Sequence, residues 1–154
     1  MALSRLRSMT PSTTRIHTRT AAWRSMTVTR IRPESRLGRR WAAVYAAHPQ
    51  HKVSNDIYRL WPVSRLPDGE LLGPHVYLVA AHNGSALYVG QTITSLRERF
   101  RTHLRDSRKA AAFAYVASLQ FDDTISVYTL GEVERTAQIL MAPTMGSAWP
   151  RTRR

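Results

Sequence analysis

Five side chains between positions 77 and 134 are of types that handle protons, phosphate or a cation: Tyr77, Tyr88, Arg99, His103 and Glu134. An arginine fork matches the oxygens of a phosphate. A carboxylate is a hard oxygen ligand suited to a divalent cation such as Mg2+. Tyrosine and histidine transfer protons once their surroundings favour the required form. Whether these residues act together depends on the elements that hold them. Tyr77 and Tyr88 flank Asn83-Gly84, and Asn-Gly between apolar runs is the strongest short-range hairpin signal. With Val76 to His82 and Ser85 to Gly90 as strands, a two-residue turn pairs His82 with Ser85, Val79 with Tyr88 and Tyr77 with Gly90. Alternation along the strands then puts both tyrosines on one face as diagonal neighbours. The opposite face, carrying Val76, Leu78, Ala80, Leu87 and Val89, is wholly apolar and is expected to be the core side. On this pattern alone the tyrosines are either half-buried strand aromatics or site residues.

Two helices carry the remaining candidates. Ser95 to about Arg105 is predicted as a helix, opened by Ser95 and Glu98 as a capping box. Leu96, Phe100 and Leu104 form its buried stripe. Arg99 and His103 stand one turn apart at the edge of that stripe, either as satisfied structural polar groups or facing a shared cleft. Arg97, Arg101 and Arg105 lie away from it and read as solvated or phosphate-touching charges. After an Ala-rich stretch, Ile125–Leu130 reads as a strand. Thr129 with Glu132 reads as a second capping box, opening a helix that runs to Met141 and is stopped by Pro143. Its stripe is Val133, Ala137 and Leu140, with Glu134 at the border beside Met141. Glu132 has the capping task. Glu134 has Gln138, not a basic residue, four positions on.

Upstream, Leu37, Trp41, Val44 and Tyr45 give Ser35 to His48 one apolar helical stripe, which Pro49 ends. Residues 49–56 read as a linker, Ile57–Trp61 as a short strand and Pro67-Asp68-Gly69 as a turn.

The chain has 154 residues, a length that suits one domain. With 23 Lys plus Arg against 10 Asp plus Glu, its formal charge is +13, of which +9 falls in residues 1–56. That excess points to a polyanionic partner, nucleic acid first. There is no cysteine, which excludes a disulfide scaffold, a cysteine nucleophile and a thiolate metal site. No apolar run approaches the ~20 residues of a membrane helix. His17, His48, His51 and His82 lack zinc-ligand spacing, and Asp122-Asp123 reads as a turn. Residues 1–32 contain seven Arg and no acid. They read as a basic disordered arm, as a transit peptide, or as an extension upstream of a later start. Four segments are therefore expected: residues 1–32 as this arm, 33–72 as a helical region and linker, 73–146 as the functional domain and 147–154 as a basic tail.

Taken in order, His75-Val76-Tyr77, Tyr88-Val89-Gly90, Gln91-Thr92, Leu96, Arg99, His103, Glu134 and Pro143 resemble the pattern of the GIY-YIG nucleases. The resemblance covers residues 73–146. It departs from the family at two points. His75 stands where the family has its first glycine, and Thr144-Met145-Gly146-Ser147 stands where an asparagine usually follows the proline. The resemblance implies an α+β domain, a small three-stranded mainly antiparallel sheet flanked by helices. It implies a metal-dependent endonuclease acting on DNA, with Glu134 holding one Mg2+ (or Mn2+), Arg99 on the scissile phosphate, and Tyr77 or Tyr88 accepting the proton of the attacking water. His103 would orient a tyrosine or touch phosphate. Arg97, Arg101 and Arg105, the basic arm and the helix at 35–48 would add sequence-independent affinity for DNA. With 11 residues after Pro143, specificity is expected from residues 1–72 or from a partner. A cytoplasmic protein of bacterial or phage type fits this reading, with organellar import as the alternative if the arm is a transit peptide. Two other classes remain open: an inactive nucleic-acid-binding protein on the same scaffold, and a basic RNA-binding protein.

Overall fold

The computed structural model describes residues 29–53 and 55–146. The arm over residues 1–28 and the basic tail over 147–154 lie outside the described residues. The elements run α1 (Arg36–Ala47), β1 (Trp61–Pro62), a single 3-10 turn, β2 (His75–Ala80), β3 (Ala86–Thr92), α2 (Leu96–His103), α3 (Ser107–Ala112), β4 (Tyr115–Gln120) and α4 (Val127–Met141). The sheet is antiparallel in the order β1-β4-β2-β3, so it has four strands where three were expected. The extra strand is the two-residue β1, at the end of the segment read as Ile57–Trp61. Among the described residues no helix is long and apolar enough to cross a membrane.

Local signals account for the elements that were read correctly. Ser35 opens α1 by accepting from the Gly38 N–H at 3.0 Å. Trp41 and Val44 of its stripe are fully buried. The Trp41 indole donates to the Ile57 carbonyl at 2.8 Å, tying α1 to the segment that leads into β1. Ser95 caps α2 by accepting from the Glu98 N–H. The register Tyr77↔Gly90 and Val79↔Tyr88 is as expected.

Four details differ. First, the hairpin narrows sooner than the turn rule predicts. β2 stops at Ala80, the Ala81 N–H donates to the Ser85 carbonyl, and Ala80 pairs with Ala86. This leaves a bulge at Leu87, and an extra residue on one strand shifts the alternation by one. Leu87 therefore joins the cluster around Tyr77, while Ala86 packs on the opposite side. Second, the tyrosine face is itself a core. Val76, Leu78, Val89, Ala117 and Leu119 pack beneath α1 and α4. Tyr77, Val79 and Val116 pack with Leu96, Phe100, Phe113, Val63 and Leu71 on the other side. Third, Ile125–Leu130 is no strand: the third long strand is Tyr115–Gln120, and α4 starts at Val127. Ser126, not Thr129, caps α4, accepting from the Thr129 N–H at 3.0 Å. Burial of Leu130, Val133, Ala137 and Met141 against the sheet outweighs the strand preference of Ile125 and Val127. Fourth, α2 ends at His103. His103 is buried and Leu104 is exposed, the reverse of the expected stripe.

The folded unit begins before residue 33. Arg30 bridges to Arg59 and ion-pairs with Asp56, the Ile31 N–H donates to Tyr58, and Ile31 is buried in the core shared by α1 and α4. Residues 29–31, counted with the arm, are therefore docked on the fold through Ile31, and Trp41, Val44 and Ile57 share its core with Val76, Leu78 and Val89.

Candidate functional site

The site is built where β2, β3, α2 and α4 approach one another around Gly90. A β-carbon at Gly90 would lie 2.5 Å from Tyr77 Oη and 2.8 Å from Tyr88 Cε1, so only glycine leaves room for the two phenols. The tyrosine rings lie 6.2 Å apart, inclined by 27°. Tyr77 is 0% exposed, whereas Tyr88 is half-buried. Burial pushes the Tyr77 phenol well above its usual range, against the pull of Arg99.

α2 brings Arg99 and His103 onto this pair. Arg99 Nε donates to Tyr77 Oη at 3.3 Å, and the two phenols favour its charged form, while the residue as a whole stays exposed. His103 Nε2 is 2.7 Å from Tyr77 Oη, and its ring packs edge-on to Tyr88 at 5.0 Å. Burial, with Lys109 and Arg99 nearby, lowers the His103 pKa to about 4, so the ring is neutral at pH 7.

Glu134 stands on α4, near enough for its charge to act on Tyr77 and to feel Arg99. It is half-buried, and Gln138 Nε2 donates to its Oε1 at 3.3 Å. Burial holds its carboxyl above the ordinary carboxylate range, and the Arg99 charge opposes that rise. Tyr77, Tyr88, Arg99, His103 and Glu134 thus fall within one electrostatic neighbourhood. Glu132, assigned to a cap, makes no cap contact; its carbonyl accepts from Thr136.

The flanking arginines separate. Arg97 ion-pairs with Asp68 of the 67–69 turn, so much of its charge is already offset. Arg101 and Arg105 are exposed, with no ion-pair partner among the described residues. Arg101 faces solvent from α2 and Arg105 from the turn that follows it.

Three contributors carried no sequence signal of their own. Lys109 Nζ lies 3.3 Å from His103 Nδ1 and 5.0 Å from the centroid of the Tyr88 ring. It comes from α3, six residues within the stretch read as merely Ala-rich, opened by Asp106. Phe113 fills the space between Tyr88, Phe100 and His103. After Pro143 the chain returns along β3: the Met145 N–H donates to Leu87 at 2.7 Å, and Gly146, at φ 101°, lies flat on Tyr88, where a β-carbon would come within 2.9 Å of the ring. The segment that lacks the family asparagine therefore backs Tyr88 with a glycine. His75, at the family's first glycine, is 0% exposed and donates from Nε2 to the Leu72 carbonyl at 3.1 Å.

No group of three or more His, Asp or Glu capable of holding a cation occurs among the described residues. What remains is one half-buried carboxylate with one oxygen engaged by an amide. That suits a water-rich Mg2+-type site, which characteristically uses one or two carboxylates plus waters and substrate phosphate.

Residues 73–139 match the family described as GIY-YIG catalytic domain. Neither the curated proteins nor the solved structures compared with the chain give a match.

Proposed function

We propose that this chain, whose residues 73–139 are a GIY-YIG catalytic domain and so a nuclease module, is a divalent-metal-dependent endonuclease that hydrolyses phosphodiester bonds in DNA. The observation that carries this reading is the position of Arg99. Its Nε donates to Tyr77 Oη at 3.3 Å, its charge acts on Tyr88 and Glu134, and the residue is still exposed to solvent.

Each residue then has a task it can perform from where it stands. The outward N–H groups of Arg99 bind phosphate oxygens and stabilise the charge that grows on them in the transition state. Tyr77, sealed from solvent, anchors the Arg99 side chain. Tyr88 is the more accessible phenol and, when ionised, accepts the proton of the attacking water as its oxygen bonds to phosphorus and the P–O bond to the leaving oxygen breaks. Lys109 Nζ stands 5.0 Å from the centroid of its ring. Glu134 would hold one Mg2+ or Mn2+, which when bound stabilises negative charge on the phosphate and the leaving oxygen. Arg101 and Arg105, and the wider excess of +13, supply attraction that does not depend on base sequence.

The test is cleavage of plasmid, single-stranded, flapped and RNA substrates side by side, with and without Mg2+. Cleavage should require the metal. Glu134→Gln should lower it by on the order of 10²-fold or more while DNA binding survives, and Glu132→Gln should leave it near wild type. Binding without cleavage of any substrate would favour an inactive binder on this scaffold. Equal loss in the two glutamine variants would show the site misplaced.

A further inference from the structure

The hydrogen-bond polarity around His103 leads from the nuclease reading to a residue outside the motif. A neutral imidazole has one donor and one acceptor nitrogen. An ammonium has three donors and no acceptor. Lys109 Nζ faces Nδ1 at 3.3 Å, so Nδ1 must accept and the ring hydrogen must sit on Nε2. Nε2–H then donates to Tyr77 Oη at 2.7 Å, beside the Arg99 Nε–H at 3.3 Å. The opposite tautomer would set the Nδ1–H against the ammonium. Lys109 Nζ also stands 5.0 Å from the Tyr88 ring centroid, within cation–π range. Its own backbone is held in place, because Asp106 Oδ1 accepts from the N–H groups of Arg108 and Lys109.

We infer that Lys109 is a positioning residue of the nuclease site: it locks His103 in the Nε2–H tautomer, so that Tyr77 Oη accepts two N–H donors, and it keeps a positive charge over Tyr88. The inference rests on the proposed activity only for its catalytic consequence. The groups facing His103 are Tyr77 from β2, Tyr88 from β3, Arg99 from α2, and Asp106 and Lys109 from the turn and helix that follow. Lys109 is the one cation among them within hydrogen-bonding distance of Nδ1.

The experiment uses the full chain, with Lys109→Met, which keeps length and loses charge, and Lys109→Arg, which keeps a donor-only cation. Long-range 15N NMR reads the His103 tautomer, the signal being assigned with His103→Gln. The wild type and Lys109→Arg should show Nε2–H, and Lys109→Met should gain the Nδ1–H form. In the cleavage assay Lys109→Met should lose kcat with little change in KM, and Lys109→Arg should restore it. An Nδ1–H tautomer in the wild type, or an identical tautomer in wild type and Lys109→Met, would overturn the inference whether or not the chain cleaves DNA. If no variant, wild type included, cleaves any substrate, the activity reading fails while the NMR outcome still decides the role of Lys109.

Discussion

Acid should destabilise this fold through two imidazoles, and a single substitution should separate them. His75 and His103 are 0% and 5% exposed, and burial lowers each pKa from 6.5 to about 4. In the unfolded chain both titrate near 6.5. The native state therefore binds fewer protons between these values, so the stabilisation is complete above 6.5 and is lost as the pH falls toward 4. Integrated from pH 7 to pH 5, each ring accounts for about 2 kcal/mol, or about 4 kcal/mol for the pair. His75→Gln keeps an N–H donor for the Leu72 carbonyl and removes one titration. Urea unfolding at pH 7 and pH 5 should show the wild type losing about 2 kcal/mol more than the variant across that interval. The comparison uses the pH dependence, not absolute stability, so any packing cost of the glutamine cancels, as do carboxylates that titrate equally in both chains. Parallel losses, within ~0.5 kcal/mol, would refute the argument that His75 is held neutral by burial.

Two further predictions concern the frame of the site. Ser126→Ala should cost about 1 kcal/mol by uncapping α4, and Thr129→Ala should cost less, because it keeps the N–H that donates to Ser126 Oγ and loses only the side-chain contact at 2.8 Å; urea midpoints that rank them the other way would restore the later helix start. Ile31→Ala should lower stability by about 2–4 kcal/mol, since the side chain is 4% exposed in the larger core; a loss below ~0.5 kcal/mol would mean that residues 29–31 are not docked against Tyr58–Leu60.

Elements whose signals are local were legible from the residues alone. Helix α1 has its cap and its stripe within one segment, and α2 has Ser95 as its cap. The pairing of Tyr77 with Gly90 matches the expected register although the two-residue turn does not form: His82 does not pair with Ser85, Ala81 meets Ser85 across a three-residue loop, and the bulge at Leu87 restores the register. The short α3 was missed because six residues with three alanines carry no periodicity, and β4 because alanine and serine blur the alternation of Val116 and Leu119. The early start of α4 was missed because Ile125, Val127 and Thr129 have strand-like side chains, while the burial that overrides them comes from the sheet beneath.

By itself, the amino-acid sequence determined the chemical inventory and its order: two phenols across a hairpin, an arginine and a histidine one turn apart, a glutamate before a proline, and a basic excess. Those depend on spacing along the chain and on short-range geometry. Tertiary structure alone decided which groups share a field. The bulge at Leu87 moved a side chain across the sheet, and segments distant in sequence turned the tyrosine face into a core that seals Tyr77 and leaves Tyr88 accessible. It also brought Lys109 to His103 and Gly146 to Tyr88. Such contacts join residues with no common period or cap. They arise because apolar burial on both faces of the sheet brings helices and loops together, whatever their separation along the chain.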